Sequence, residues 1–337
     1  MALIGDINLI KIHNRMTHNR FILTTIFSAF MTLLNAQNPS DLGSTKPFLV
    51  GLEGTIYKFV FPTNYTSDKN VGYTEAIEKT TPLGHIYTQS LNITERDLTQ
   101  PFPRIPKNIT EFAIIYTGKF DVKEAAVFDF VLKSDDGSRL WIDSVEVINH
   151  DGLHQFNVPK RGAIKLNKGF HNLKVWYFQG LPRRMGLLLL MKKETEKQWL
   201  PFDLKPFEDE IKQLVEVDSS GVVKAQLSER FLFDLGKSEL KPEAESQLEK
   251  IAKLLIVNPN ARLKIEGHTD NSGTAKANQL LSENRAAAVG NALKALGISE
   301  KMAIETTGFG STKPIAPNTN EEGKAKNRRV DISISTN

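Results

Sequence analysis

The run Arg262-Leu-Lys-Ile-Glu-Gly-His-Thr-Asp-Asn271, followed by the long stretch to Gly297, decides how the C-terminal third of this chain is read. Residues 262–266 read as a strand. Residues 275–296 read as a helix, with Leu281, Ala288, Val289, Ala292 and Leu296 on one apolar stripe and Gly297 as its stop. A strand that runs through a polar turn into a long helix is an α/β unit. Its turn, with Thr269, Asp270 and Asn271, is expected at the end of a sheet.

Working outward, Pro242 suits a first helical position, and Leu248, Ile251, Ala252 and Leu255 share one face of a helix that ends near Asn258-Pro259. Residues 222–233 predict a strand ending at Asp234, and residues 303–308 and 330–335 predict two more. The segment 222–337 is therefore expected to be an α/β domain of β-α-β-α-β-β order. Before it, residues 195–221 carry Pro201 and Pro206 and a short amphipathic stretch with Ile211, Leu214 and Val215, which reads as a linker with a short helix.

Residues 49–194 have a different character. Short β-type runs alternate with Asp-Gly, Asn-Lys-Gly and Gln-Gly turns, and helical periodicity is almost absent. This predicts an all-β antiparallel domain, and periodicity alone leaves sandwich and barrel both open. Tyr116, Trp141, Trp176 and Phe178 are spaced as strand residues and read as core.

The 337 residues are enough for two domains, and the formal charge of +4 is spread along the chain with no polybasic tract. Nucleic acid is not an expected partner. Cysteine is absent, which removes disulfides, thiolate metal sites and cysteine nucleophiles. Residues 1–36 read as a signal peptide with an upstream extension: a basic start at Met16, an apolar run over 21–34, and a small residue, Ala36, at the expected cleavage point. An uncleaved anchor is the alternative. No later run is long enough to span a membrane as a helix, so the mature chain is expected to have no transmembrane helix.

Four segments of the C-terminal domain carry a resemblance. Phe231-Leu-Phe-Asp-Leu-Gly-Lys-Ser-Glu-Leu-Lys-Pro242, Ile265-Glu-Gly-His-Thr-Asp-Asn271, Leu281-Ser-Glu-Asn-Arg285 and Asn327-Arg-Arg-Val330 resemble the OmpA C-terminal family of peptidoglycan-binding domains. The resemblance implies that Asp270 and Arg285 hold the zwitterionic end of diaminopimelate in the peptidoglycan stem peptide, Asp270 taking the ammonium and Arg285 the carboxylate. One anion and one planar fork suit that ligand chemically. Asn278 and Leu281 are implied to line the groove, while Thr269, Asn271 and Arg329 are expected to contact the peptide or brace the pair, and Arg328 to be structural. Gly236 departs from relatives that carry asparagine or aspartate there.

A second resemblance rests on Ile115-Tyr-Thr-Gly-Lys-Phe120, Ser134-Asp-Asp-Gly-Ser-Arg-Leu-Trp-Ile-Asp143, Asp151-Gly152 and Gly169-Phe-His-Asn-Leu-Lys-Val-Trp-Tyr-Phe-Gln-Gly180, with Gly51-Leu-Glu-Gly-Thr-Ile-Tyr57 at its start. These resemble the lectin-like β-sandwich named after anthrax protective antigen. The resemblance implies a calcium ion on Asp135 and Asp136 that chelates sugar hydroxyls, with Gln179 and Gly180 as candidate glycan-binding residues. Calcium takes six to eight oxygens, so two carboxylates need help from neighbouring loops. The competing reading of Asp135-Asp136-Gly137 is a turn whose carboxylates bond loop amides or Arg139. His150, Asp151, His154 and His171 do not read as a zinc set, because Gly152 breaks the spacing.

Together these readings predict a non-enzymatic cell-envelope protein of the periplasm or the periplasmic face of the outer membrane. Its partner is peptidoglycan, with a glycan or envelope protein on the β domain. The alternatives are an integral outer-membrane barrel with a periplasmic wall anchor, and a non-catalytic module of a cell-wall hydrolase. His268 and Asp270, two apart, do not make a hydrolase, since no nucleophile or metal set accompanies them.

Overall fold

The computed structural model describes residues 42–58, 77, 80–97, 102–106, 109–180 and 184–335. The expected signal peptide lies outside the described residues.

Among the described residues, the N-terminal region forms two antiparallel sheets packed as a sandwich. One sheet contains β1 (Leu52–Lys58), β2 (Pro82–Thr88), β4 (Phe112–Val122), β6 (Ser138–Ile142), β7 (Val145–His150) and β9 (Gly169–Gln179), in the order β2-β1-β4-β9-β6-β7. The other runs β11-β10-β5-β8, formed by β5 (Ala126–Asp135), β8 (Lys160–Leu166), β10 (Arg184–Lys193) and β11 (Leu200–Pro201), with β3 (Asn92–Asp97) also paired to β10. The expected linker thus begins inside the sandwich, because Leu200 and Pro201 pair with Met191 and Leu190.

Alternation explains which side chains fill the space between the sheets: Ile114, Tyr116, Val175 and Tyr177 meet Phe130, Leu132, Leu187 and Leu189 in one continuous core. The partners on the other face of β4 and β9, Ala113, Ile115, Trp176 and Phe178, are also buried and form a second cluster with Ile77. Tyr116, Trp176 and Phe178 are core, as expected. Trp141 is partly buried against the second cluster, with the Arg139 guanidinium 4.7 Å and the Lys174 ammonium 5.4 Å from its ring.

Helix α1 (Lys205–Lys212) joins the two regions, with Pro206 at its start and Ile211 buried. Two polar contacts cross between the regions beside it. Asn258 Nδ2 donates to the Leu49 carbonyl at 2.9 Å, and Lys253 Nζ lies 3.1 Å from Asp121.

The C-terminal region is a five-stranded mixed sheet with helices: β12 (Glu216–Val217), β13 (Val223–Ser228), α2 (Glu229–Leu232), α3 (Ala244–Val257), β14 (Arg262–Gly267), α4 (Ala275–Ala295), β15 (Ala303–Gly308), α5 (Glu321–Asn327) and β16 (Arg329–Ser335). The order is β12-β13-β16-β14-β15, and β14 and β15 are parallel. The expected strand over 222–233 stops at Ser228. A helical turn follows that buries Leu232 and turns Phe231 outward. Asn320 caps helix α5, its side chain accepting from the Gly323 amide at 2.8 Å.

Two glycines let α4 lie directly on the sheet. A Cβ at Gly267 would come within 2.1 Å of the Ser282 carbonyl oxygen, and one at Gly308 within 2.4 Å of the Glu283 amide nitrogen. The helix therefore crosses the ends of β14 and β15 one turn before Arg285.

Candidate functional site

The register of the C-terminal sheet gathers the charged residues. β16 is antiparallel to both neighbours, with Arg329 opposite Ser228 and Val330 opposite Gly267. The start of β16 therefore lies beside the ends of β13 and β14. Glu229, Arg328 and the His268-Thr269-Asp270 turn meet at this end. The Glu229 amide donates to the Arg328 carbonyl at 3.0 Å, and the His268 amide to the Arg329 carbonyl at 2.9 Å.

Asp270 is buried within this turn. One carboxylate oxygen accepts from the Ser272 amide at 2.7 Å and the other from Arg328 Nη1 at 2.6 Å. Burial by itself raises the pKa of this carboxyl, but Arg328 and Ser272 outweigh it and hold it below the usual carboxylate value. Asn278 braces the loop: its Nδ2 donates to the Ser272 carbonyl at 2.9 Å and reaches the Asp270 carbonyl at 3.3 Å. Thr269 Oγ1 donates to the Asp270 carbonyl at 3.0 Å. Thr274 caps α4, accepting from the Ala277 amide at 3.2 Å.

Arg285 projects from α4 into the same end. Its Nε donates to the Lys237 carbonyl at 2.9 Å, its Nη2 bonds Glu229, and its guanidinium lies 5.2 Å from the Phe233 ring. Burial lowers its pKa and Glu229 opposes that shift. A guanidinium stays charged in either case. Glu229 also receives Arg328 Nε at 2.9 Å, and Arg328 Nη2 reaches Glu321 at 2.6 Å. The two expected residues are thus linked through two others, in the sequence Arg285, Glu229, Arg328, Asp270.

Arg328 is the arginine at Asp270. The Arg329 guanidinium instead turns to Asp331 at 2.9 Å and to the Lys313 carbonyl at 3.3 Å, where it braces the sheet. His268 also faces Asp331, at 3.4 Å, and stacks on Phe309. Leu281 is half-buried and Asn271 exposed. Gly236 sits at φ +70°, a left-handed position that glycine adopts at no steric cost and that asparagine and aspartate also tolerate.

Sequence reasoning missed Glu229. Val223, Ala225 and Leu227 point inward along β13, so Glu229 occupies the next inward position. A carboxylate at that parity needs a buried cation, and that was the available signal.

In the sandwich, Asp135 and Asp136 stand next to each other, joined by a cis peptide bond. Asp136 is buried and accepts from the Gly180 amide at 2.8 Å. Burial, then Asp136 and Glu95, push the Asp135 carboxyl up to about 6, with Arg184 opposing. The Tyr177 hydroxyl lies 2.7 Å from the Asp135 carbonyl and 2.8 Å from Gln179 Oε1. Gln179 Nε2 donates to the Arg184 carbonyl at 2.7 Å. Gln179, expected at a glycan, has its fully buried amide engaged at both ends within the protein, where it braces the aspartate loop. Among the described residues, no group of three or more histidine, cysteine or acidic side chains is arranged to hold a metal. Asp136 raises the proton affinity of Asp135, and two such adjacent carboxylates do suit a hard divalent cation, provided carbonyl or water oxygens complete its shell. The histidines are separately engaged: His150 and His154 stack at 3.6 Å, while His171 bonds Asp143 and the Asn167 carbonyl.

The sandwich and the α/β domain with its Asp270–Arg285 end match known families. Residues 232–328 match the OmpA family and residues 66–197 the PA14 domain. The chain belongs to the OmpA family through its C-terminal domain and carries a PA14 domain before it. It is 38% identical over 122 residues to the peptidoglycan-associated lipoprotein of Pseudomonas putida, a match covering 34% of this chain and 72% of that protein. It is 42% identical over 106 residues to outer membrane protein Omp38 of Acinetobacter baumannii, covering 32% of this chain and only 30% of the relative's length. A solved structure described as the PA14 sugar-binding domain from an RTX adhesin aligns with 46% of this chain and 96% of its own, at 18% identity and a TM-score of 0.39.

Proposed function

We propose that this chain is a non-catalytic cell-envelope protein that holds peptidoglycan through its C-terminal domain. Asp270 takes the ammonium and Arg285 the carboxylate of the diaminopimelate end of a stem peptide. The observation that carries this reading is the burial of both residues at one end of the sheet, coupled through Glu229 and Arg328. A buried anion and a buried guanidinium held a few residues apart in a charge network suit a ligand that brings both signs at once. Asn278 and Thr269 shape the Asp270 turn, and Leu281 and Asn271 would line the path of the peptide. The similarity to a peptidoglycan-associated lipoprotein supports the same partner. Residence in the periplasm or on the periplasmic face of the outer membrane, after export by a signal peptide, follows from that partner.

The sandwich supplies a second recognition surface, for a glycan or an envelope protein. Asp135 and Asp136 would hold calcium, which when bound offers a Lewis-acidic centre for sugar hydroxyls. Asp136 meanwhile pins the Gly180 loop.

Sedimentation with purified diaminopimelate-type peptidoglycan tests the wall reading. Wild type should pellet, and Asp270→Ala and Arg285→Ala, each shown to be folded, should stay in the supernatant. Wild type remaining in the supernatant would refute it.

A further inference from the structure

Asp270 is 6% exposed and Arg285 2%, so a ligand reaches neither without displacing something. Other side chains already fill both positions. A carboxylate, Glu229, sits on the Arg285 guanidinium, and a guanidinium, Arg328, sits 2.6 Å from the Asp270 carboxylate. Charge for charge, these are the groups that the ligand would bring.

We propose that Glu229 and Arg328 are internal surrogates of the ligand, and that Glu229 makes the site select a zwitterionic amino acid end over a ligand carrying a carboxylate alone. The proposal rests on the reading of Asp270 and Arg285 given above.

Charge balance supplies the reason. Arg285, Glu229, Arg328 and Asp270 carry two positive and two negative charges, and their side chains are between 2% and 19% exposed. Glu321 also touches Arg328 but is 75% exposed, so water screens it. A zwitterion entering this neutral cluster replaces the Glu229–Arg285 and Arg328–Asp270 pairs with equivalent pairs, and it frees Glu229 and Arg328 to stay together at 2.9 Å. A ligand with only a carboxylate displaces Glu229 without offering Asp270 anything, and it leaves an excess negative charge in a buried place. Discrimination of this kind comes from penalising the wrong ligand.

Glu229→Gln isolates the effect. The amide keeps a hydrogen-bond acceptor for Arg285 but removes the competing charge, leaving one excess positive charge in the cluster. Titration calorimetry on the purified protein compares a diaminopimelate-containing stem tripeptide with the same peptide whose free diaminopimelate ammonium has been acetylated. Wild type should bind the acetylated peptide at least about ten-fold more weakly. In Glu229→Gln the acetylated peptide should gain about ten-fold while the zwitterionic peptide changes less than about three-fold. An unchanged ratio, or equal weakening of both peptides, would show that Glu229 merely positions Arg285 and would overturn the proposal. Should the variant not fold, the carboxyl-carbon NMR resonance of Glu229 in wild type provides the second readout: it should move on saturation with the stem tripeptide, and a stationary resonance overturns the proposal. Wild type that binds neither peptide overturns the site reading as well, so the two failures are told apart.

Discussion

The Arg328 guanidinium lies 2.6 Å from the Asp270 carboxylate, and its Nε simultaneously holds Glu229 at 2.9 Å. One arginine, at the first turn out of α5, therefore ties the end of β13 to the turn after β14. That arrangement makes Asp270, with Glu266 and Asp331, one of the carboxylates through which the domain becomes sensitive to acid.

Because Asp270 is held below the usual carboxylate value, the folded state favours its ionised form. The resulting stability is whole above about pH 5 and is lost as pH falls through the folded value. The urea midpoint of wild type should therefore drop between about pH 5 and pH 3. Asp270→Asn should start lower at neutral pH and show a shallower drop; equal slopes in both proteins would contradict the assignment.

Asp135 has the opposite sign. Its carboxyl titrates near 6 in the folded protein, above its ordinary value of 3.8, so the folded state keeps a proton that the unfolded chain has released. Stability contributed by this group falls as pH rises through that window. Asp135→Asn should accordingly raise the melting temperature at neutral pH in chelator. Added calcium should raise it for wild type, more at pH 7.5 than at pH 5, and leave Asp135→Asn unmoved. Differential scanning fluorimetry reads all of these.

Gly267→Ala places a methyl group where the Ser282 carbonyl oxygen now sits, 2.1 Å from the ideal Cβ. Backbone on both sides leaves no flexible end to give way, so α4 must move outward. The expected cost is about 1–3 kcal/mol in chemical denaturation. Peptidoglycan pelleting should fall too, since Arg285 rides on the displaced helix.

The two regions share a continuous apolar core through Phe202, Leu204 and Ile211, and are pinned by Asn258 on the Leu49 carbonyl and by Lys253 on Asp121. Calorimetry of wild type should show one transition. Asn258→Ala combined with Lys253→Ala should cost about 1–2 kcal/mol and broaden or split that transition. Two well-separated transitions in wild type would show that the regions unfold independently.

Much of this was legible in the residues. The polar turn between Ile265 and Ala275 and the stripe from Leu281 to Leu296 announced the strand and helix that carry Asp270 and Arg285. Asp-Gly, Asn-Lys-Gly and Gln-Gly turns marked the β region. The strand-to-helix break at Ser228 was not legible, because Phe231, Leu232 and Phe233 read as further β residues when only hydrophobicity is weighed. Tertiary packing selects Leu232 and Phe233 for the core and leaves Phe231 at 56% exposure, and a helical turn is what separates them.

Sequence by itself determined the two domains, their order and the types of residue at the candidate site, since periodicity and turn chemistry are local properties of the chain. Which charges meet was decided only by the tertiary structure. Glu229 lies 56 residues from Arg285, and Asp270 lies 58 from Arg328. Pairing across such separations follows from strand register: the antiparallel setting of β16 between β13 and β14 puts Arg329 opposite Ser228 and Val330 opposite Gly267. A buried carboxylate must then take whichever cation that register presents.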